Sequence, residues 1–295
     1  MQNIRPTPPY KFDLTLDMLS RYPHPTVDVV HKGAYWRALR VNGTLALFRV
    51  TQAADHSLAV ETVAGEVDET QAYQQLSHIL SADLDLKPFY AYARSQPELW
   101  RIVEPLVGIR WLRTATVYEA LMTTIIEQQI AWKTAQRAQR WLVEWGGHRI
   151  DHNGIAYYDF PTPAQIAAAS VEDLKPLKIT FKRMQLMIDV SAQVITGMLD
   201  LARLDTVPLD EAYDTLVAIK GIGHWTTTWT LQRARGQHNY VGDNDVALQA
   251  AVNHYFYGGE GRIPAEKVRE TFAVYGDNAG LAAHYTMLRW ILDRY

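Results

Sequence analysis

The stretch LVAIKGIGHWT, residues 216–226, decides the reading of this chain, together with VGDNDVALQ at 241–249. Residues 210–220 place Ala212, Tyr213, Leu216 and Ile219 at helical spacing, and Gly221-Ile222-Gly223 then breaks the helix in a tight turn. Trp225, Thr226, Trp229, Leu231 and Ala234 continue as a second helix, for which Gly236 supplies a stop. Glycine carries no β-carbon, so a ligand can approach such a turn closely. The N–H groups opening the second helix lack intrahelical partners and sit at the positive end of its dipole. A turn of this kind suits an anion, although GIG alone also describes an ordinary helix corner with glycine as a cap. Asp245 then opens a further helix and is a candidate catalytic carboxylate, with Asp243 as its nearest competitor.

Composition bounds the answer without supplying it. The chain has 295 residues, 48% apolar and 21% charged, which suits a folded body of two or three subdomains rather than a disordered one. No apolar run approaches the roughly twenty residues that cross a bilayer, and the opening MQNIRPTPPYKFD has no signal-peptide core, so a cytoplasmic location is expected. The absence of cysteine excludes disulfides, thiolate metal sites and a cysteine-bound iron–sulfur cluster. No H-E-x-x-H motif is present. A formal net charge of −3 runs against the basic footprint usual for nucleic-acid binding. Backbone donors at the turn can hold phosphate without lysines, and positive charge can gather at Lys178, Lys182, Arg183, Lys220, Arg233 and Arg235. Each of these could equally be part of a solvated helix face.

Residues 1–85 carry β-type runs at 35–41, 44–52 and 58–63. Asn42-Gly43 is a strong two-residue hairpin signal between the first two, a helix is predicted at 70–80, and 83–88 reads as a linker. From 88 onward the pattern predicts helix after helix: 88–94, 97–104, 116–127, 130–145, 163–169, 171–176, 181–197, 210–220, 224–235, 245–257, 264–274 and 278–294. The expected class is α+β, with a small antiparallel sheet domain at 1–85 ahead of an all-α body at 86–295 that contains the helix–turn–helix unit at 210–235.

The turn and its surroundings resemble the helix-hairpin-helix DNA glycosylases. Their hairpin reads L-x-x-(I/F)-x-G-(I/V)-G-x-(W/K)-T-A, and their catalytic aspartate follows at about the distance that separates Asp245 from Trp225 here. Leu216, Ile219, Gly221, Ile222, Gly223, Trp225 and Thr226 fill the pattern, with Leu248 one turn beyond Asp245. FPTPAQIAAA at 160–169, Leu174 and Phe181-Lys182-Arg183 resemble the segment before the hairpin in the 3-methyladenine DNA glycosylase II family. Ile125-Ile126-Glu127-Gln128-Gln129-Ile130 is similar to that family's I-x-x-Q-(Q/L)-(V/I) element. The resemblance is clear from about residue 115 to 255 and fainter toward both ends.

It implies a two-lobed helical body and a monofunctional glycosylase that flips a damaged nucleotide from duplex DNA. Such an enzyme hydrolyses the N-glycosidic bond of an alkylated purine, of the 3-methyladenine or 7-methylguanine type, and so initiates base excision repair. Bond cleavage builds positive charge on the deoxyribose, which a carboxylate at Asp245 would stabilise. The same residue, like Asn244 or Asp243, could merely cap its helix. Bifunctional relatives place a lysine nucleophile at position 225. Trp225 there implies no Schiff base and no strand cleavage.

Trp225, Trp229 and Trp290 are candidate walls of a base pocket, although aromatic residues one helical turn apart also suit a core. Gln129 stands at the family's wedge position, beside Gln128, with Trp132 and Lys133 nearby. Gly221, Gly223, Thr226 and Lys220 are expected on the phosphate. The resemblance further implies a structural Na+ or K+ on the main-chain carbonyls of Val217, Ile219 and Ile222, no catalytic cofactor, damaged double-stranded DNA as the partner, no membrane, and a monomer. Two alternatives stay open: a glycosylase for oxidised or deaminated purines, and a non-catalytic helix-hairpin-helix DNA-binding protein.

Overall fold

A computed structural model describes residues 3–21 and 24–294; positions 1, 2, 22, 23 and 295 of the two expected domains lie outside the described residues. The chain opens with β1 (Asn3–Ile4), α1 (Phe12–Ser20), β2 (Asp28–His31), β3 (Ala34–Val41), β4 (Thr44–Gln52), β5 (Leu58–Ala64) and α2 (Glu69–Ile79). The strands form one antiparallel sheet in the order β1-β5-β4-β3-β2. Asn42 and Gly43 both take the left-handed conformation, at φ 49° and 81°, which is what a two-residue turn between twisted strands demands. Val41 and Thr44 pair directly across it. Phe12 and Leu16 of α1 and Leu76 and Ile79 of α2 cover the sheet on an apolar core with Tyr35, Leu39, Phe48 and Val50.

The helical body follows as α3 (Lys87–Arg94), α4 (Pro97–Val103), α5 (Val117–Glu127), α6 (Trp132–Gly146), β6 (Arg149–His152), β7 (Ile155–Tyr158), α7 (Pro163–Ala167), α8 (Phe181–Ile195), α9 (Leu209–Val217), α10 (His224–Arg235), α11 (Val246–Tyr257), α12 (Ala265–Ala273) and α13 (Ala279–Arg294). Side chains start several of these helices: Thr116 accepts the Glu119 N–H, and Thr162 with Gln165 forms a reciprocal capping box. Gly236 ends α10 at φ 65°.

The body is not wholly helical. Asn153-Gly154, at φ 49° and 78°, makes the same turn as Asn42-Gly43 and folds β6 onto β7. Tyr157 from this hairpin stacks on Trp36 of β3, with ring centroids 5.4 Å apart, so the hairpin serves as a lid on the outer face of the sheet. The helix expected at 171–176 is turns ending in a short 3₁₀ segment, Lys175–Leu177, because Pro176 has no N–H to continue an α-helix.

Two apolar cores divide the body. One gathers residues of α5 to α10, including Leu121, Ile125, Met187, Leu216, Ile222 and Leu231. The other joins α3 and α4 to α11, α12 and α13 through Phe89, Leu99, Leu248, Phe272 and Tyr285. Helix α10 belongs to both, because Leu231 and Ala234 enter the first core while Trp229 packs against the second. The sheet domain is locked to the body by a buried ion pair. Arg37 of β3 meets Asp28 at 2.7 Å and Glu119 of α5 at 2.8 Å. Taking one partner from such a buried pair costs roughly 3–5 kcal/mol, so the pair fixes how α5 sits on the sheet.

Candidate active site

Helices α9 and α10 are the two arms of the hairpin, and the turn between them rests on two glycines used differently. Gly221 has φ +98°, a left-handed conformation that side chains rarely adopt, and a β-carbon there would stand 3.1 Å from Leu186 Cδ2. Gly223 has φ −104°, which any residue tolerates, and a β-carbon there would meet nothing within 4 Å. The first glycine is therefore required by the fold, whereas the second leaves open space at the mouth of α10. Gly221→Ala is expected to destabilise the protein by about 1–2 kcal/mol. Gly223→Ala is expected to leave the melting temperature nearly unchanged and to weaken DNA binding at least tenfold, and thermal melts beside a binding titration check both.

Gly223 is the N-cap of α10 and has no side chain, so the helix begins without a side-chain cap. Its opening N–H groups are unsatisfied donors at the positive end of a helix, a ready site for a phosphate. The next helix begins in the opposite way. Asp245 is the N-cap of α11, and its Oδ1 accepts the N–H groups of Ala247 at 2.8 Å and Leu248 at 3.0 Å. Its other oxygen, Oδ2, accepts the indole N–H of Trp225 at 3.1 Å. Capping uses one oxygen of this residue and leaves the other aimed toward the hairpin. Three N–H groups thus donate to this one carboxyl group.

Trp225 and Trp229 lie one turn apart on α10, both half-buried, with ring centroids 6.4 Å apart. Trp225 belongs to neither apolar core and touches Asp245 through its edge, whereas Trp229 packs against the second core with the Arg233 guanidinium 5.4 Å from its ring. Trp290 is placed elsewhere. It stacks edge-on with His254 and Tyr255 and lies under Arg294, at the far end of α11 from Asp245. His254 stands nine positions beyond Asp245, roughly 13 Å along the helix axis, so the ring contacts of Trp290 lie toward the opposite end of α11 from the Trp225–Asp245 pair.

The two glutamines take different parts. Gln128 reaches the hairpin, its Nε2 donating to Thr226 Oγ1 at 2.9 Å and to the Gly221 carbonyl at 3.2 Å. Its own carbonyl accepts from the buried Arg183 of α8. Gln129 is exposed and held at φ 51°, a left-handed backbone that a non-glycine residue seldom adopts. The structure therefore leaves Gln129 exposed at a corner whose preceding residue, Gln128, touches the hairpin. Trp132 and Lys133 open α6 immediately beyond this corner.

Of the six basic residues that sequence groups together, three are bound internally. Arg183 holds the Ile126 and Gln128 carbonyls, Arg235 holds those of Leu204 and Val207, and Arg233 pairs with Glu127 at 2.6 Å. Lys178, Lys182 and Lys220 are exposed. Asp243 is buried, paired with Arg269 of α12 and 4.0 Å from His224 Nε2, whereas Asp245 meets the hairpin through the Trp225 indole. His148 and His152 stand four apart, but His148 directly precedes β6 and His152 ends it, and an extended chain spans about 13 Å over that spacing. Among the described residues no group of three or more His, Cys, Asp or Glu side chains could hold a metal ion.

His224, the first residue of α10, is a site residue that sequence reasoning passes over. Its ring nitrogens meet the Tyr213 hydroxyl at 2.8 Å and the Val241 carbonyl at 3.3 Å. Only its place immediately after Gly223 could have drawn attention to it.

No family model matches the chain. A Bacillus subtilis protein that carries the provisional name DNA-3-methyladenine glycosylase YfjP is 28% identical over 86% of this chain and 87% of its own length. The DNA-3-methyladenine glycosylase 2 of Escherichia coli is 26% identical over 75% of this chain and 76% of its own. Among solved structures, a 3-methyladenine DNA-glycosylase from Archaeoglobus fulgidus superposes with a TM-score of 0.85 at 24% identity, covering 100% of this chain and 98% of that one. The chain therefore has the fold of these DNA glycosylases, and its sequence relatives carry the name 3-methyladenine DNA glycosylase.

Proposed function

We propose that this protein is a monofunctional DNA glycosylase that releases alkylated purines from duplex DNA. The observation that carries the proposal is the pairing of Asp245 with Trp225 beside the uncapped start of α10. A phosphate held by the α10 N–H groups brings the deoxyribose of a flipped nucleotide toward the hairpin. Oδ2 of Asp245 then faces the sugar on which positive charge develops, and the carboxylate stabilises that charge and orients the attacking water. An N3- or N7-alkylated purine already bears positive charge, so it needs little further protonation to leave. The same charge attracts it to the electron-rich face of Trp225. Gln129, exposed on its corner, enters the space the flipped nucleotide vacates, where unstacking otherwise costs a few kcal/mol.

The hairpin carbonyls of Val217, Ile219 and Ile222 supply the oxygen donors a monovalent cation prefers. Ile219 O already accepts the Ile222 N–H at 2.9 Å and keeps a second lone pair. In this reading an ion there offsets charge between hairpin and phosphate and takes no part in bond cleavage. The relatives are bacterial, and among the described residues no helix is long and apolar enough to cross a membrane, which supports action on DNA in the cytoplasm.

The fold alone does not choose among substrates, since an 8-oxoguanine glycosylase/lyase from Clostridium acetobutylicum also superposes, with a TM-score of 0.76 at 16% identity. Position 225 does bear on the choice of reaction: an indole cannot form a Schiff base with the sugar. Methylated duplex treated with the protein is expected to break only after alkali, and borohydride is expected to trap no protein–DNA adduct. Strand breaks before alkali, or a trapped adduct, would contradict the monofunctional reading.

A further inference from the structure

Asp245 ends a loop, residues 236–245, that has no regular structure of its own. Its accuracy must come from side chains that pin the loop to neighbouring helices. Gln232 of α10 donates to the Tyr240 carbonyl at 3.2 Å, and the Tyr240 hydroxyl donates to Asp210 of α9 at 2.7 Å. Gln249 of α11 donates to the Asp243 carbonyl at 3.1 Å, and the Asp243 side chain is anchored on Arg269 of α12. A further side chain, His224, also reaches this loop and stands at the start of α10.

His224 is the first residue of α10, directly after Gly223. The Val241 carbonyl can only accept, so His224 Nε2 carries the hydrogen that reaches it at 3.3 Å. In the neutral ring Nδ1 then accepts from the Tyr213 hydroxyl at 2.8 Å. Nε2 also lies 4.0 Å from Asp243 Oδ1. A single imidazole thus spans α9, the start of α10 and the segment four residues before Asp245. Tyr213 is held in turn by Tyr240, their rings 4.6 Å apart.

We propose that His224 is a positioning residue that couples the phosphate-binding end of α10 to the Asp245 segment. A phosphate seated on the α10 N–H groups fixes the backbone of His224. Its ring passes that constraint to Val241 and hence to the carboxylate, so gripping DNA and aligning the catalytic oxygen are one event. This rests on the glycosylase reading for its effect on rate, while its effect on the loop is independent of any reaction.

The test compares wild type with His224→Phe, which keeps a ring and loses both hydrogen bonds, and with His224→Gln, whose amide can still donate to Val241. For His224→Phe, single-turnover base release from methylated duplex is expected to fall at least tenfold, because a small misplacement of a reacting group is costly in rate. Affinity for abasic-analogue DNA is expected to stay within about twofold. His224→Gln is expected to recover part of the rate. Adding Tyr213→Phe to His224→Phe is expected to cost nothing more, since the bridge is already cut.

Without DNA, amide hydrogen exchange at Ala247 and Leu248, the two N–H groups that Asp245 caps, is expected to speed up in His224→Phe and to be partly restored in His224→Gln. Unchanged exchange at those amides would overturn the proposal, whatever the rate does. An affinity loss with a shallower salt dependence and an unchanged rate would overturn it too, and would make His224 a phosphate ligand instead. A wild-type protein that releases no base would refute the glycosylase reading but leave the exchange result to decide this one.

Discussion

Asp245→Asn is expected to bind abasic-analogue DNA as wild type does and to release methylated purines at least 1,000-fold more slowly. The separation follows from the two oxygens of this residue. Oδ1 caps α11 through Ala247 and Leu248, and asparagine is as good a cap as aspartate, so the fold should lose no more than about 1 kcal/mol. Oδ2 faces Trp225 and carries the charge that a developing sugar cation requires. Removing one preorganised electrostatic contact of this kind from a dry site commonly costs about 10²–10³ in rate. Here a full negative charge is lost, so the upper end or beyond is expected. Asp245→Ala would confuse the result, because the cap disappears with the charge. Parallel melting curves, binding titrations and single-turnover assays separate the three contributions.

A second large effect is expected in acid. Burial holds His284 well below the ordinary histidine range, at about 3, and lowers His238 well below it too, with neighbouring His284 opposing a second charge. Their rings lie 4.2 Å apart and both pack edge-on against Trp111, and none of their four ring nitrogens has a hydrogen-bond partner. Both residues are therefore neutral in the folded protein, while the unfolded chain protonates them below about pH 6.5. Depressed histidines contribute their full stability above the unfolded value and lose it as pH falls from there toward the folded value. His284 costs about 1.4 kcal/mol per pH unit in that window, so it removes about 2 kcal/mol between pH 6.5 and 5, and His238 adds to the loss in the same direction. His78, lowered to about 4 chiefly by burial and then by Arg113, adds in the same direction. Urea titrations at pH 7.5 and pH 5 should show this loss, and His284→Phe should reduce the pH dependence. Equal stability at both pH values would mean that these rings do not stay neutral in the fold.

The hairpin and Asp245 were legible in sequence because their chemistry is local. A glycine at positive φ, a helix opened by a residue without a capping side chain, and an aspartate at a helix start each leave a mark within a few residues. The sheet strands at 34–41, 44–52 and 58–64 were legible for the same reason, through alternation and Asn42-Gly43. Asn153-Gly154 carries the same turn signal, yet its strands are four residues each and stand among long helices. The short β2 and the helix α1 depend on the sheet they complete.

What sequence could not supply was set by packing across distance. The neighbours of Trp290, His254 and Tyr255, are set by how α13 packs on α11. Arg183, Arg233 and Arg235 looked like a phosphate-binding group, but carbonyls and Glu127 take their donors, so less positive charge faces outward than the residue count suggests. His224 was overlooked because its partners, Tyr213 and Val241, stand eleven and seventeen residues away.

The central claim is base release, and one measurement tests it directly. Purified wild-type protein is incubated with duplex DNA carrying N-methylated purines, and with duplexes carrying hypoxanthine or 8-oxoguanine, and the free bases are separated by chromatography. Release of 3-methyladenine or 7-methylguanine, with little or no 8-oxoguanine, is the expected result. Tight binding to all of these duplexes with no free base from any would contradict the claim and leave a DNA-binding protein that uses Asp245 only as a helix cap.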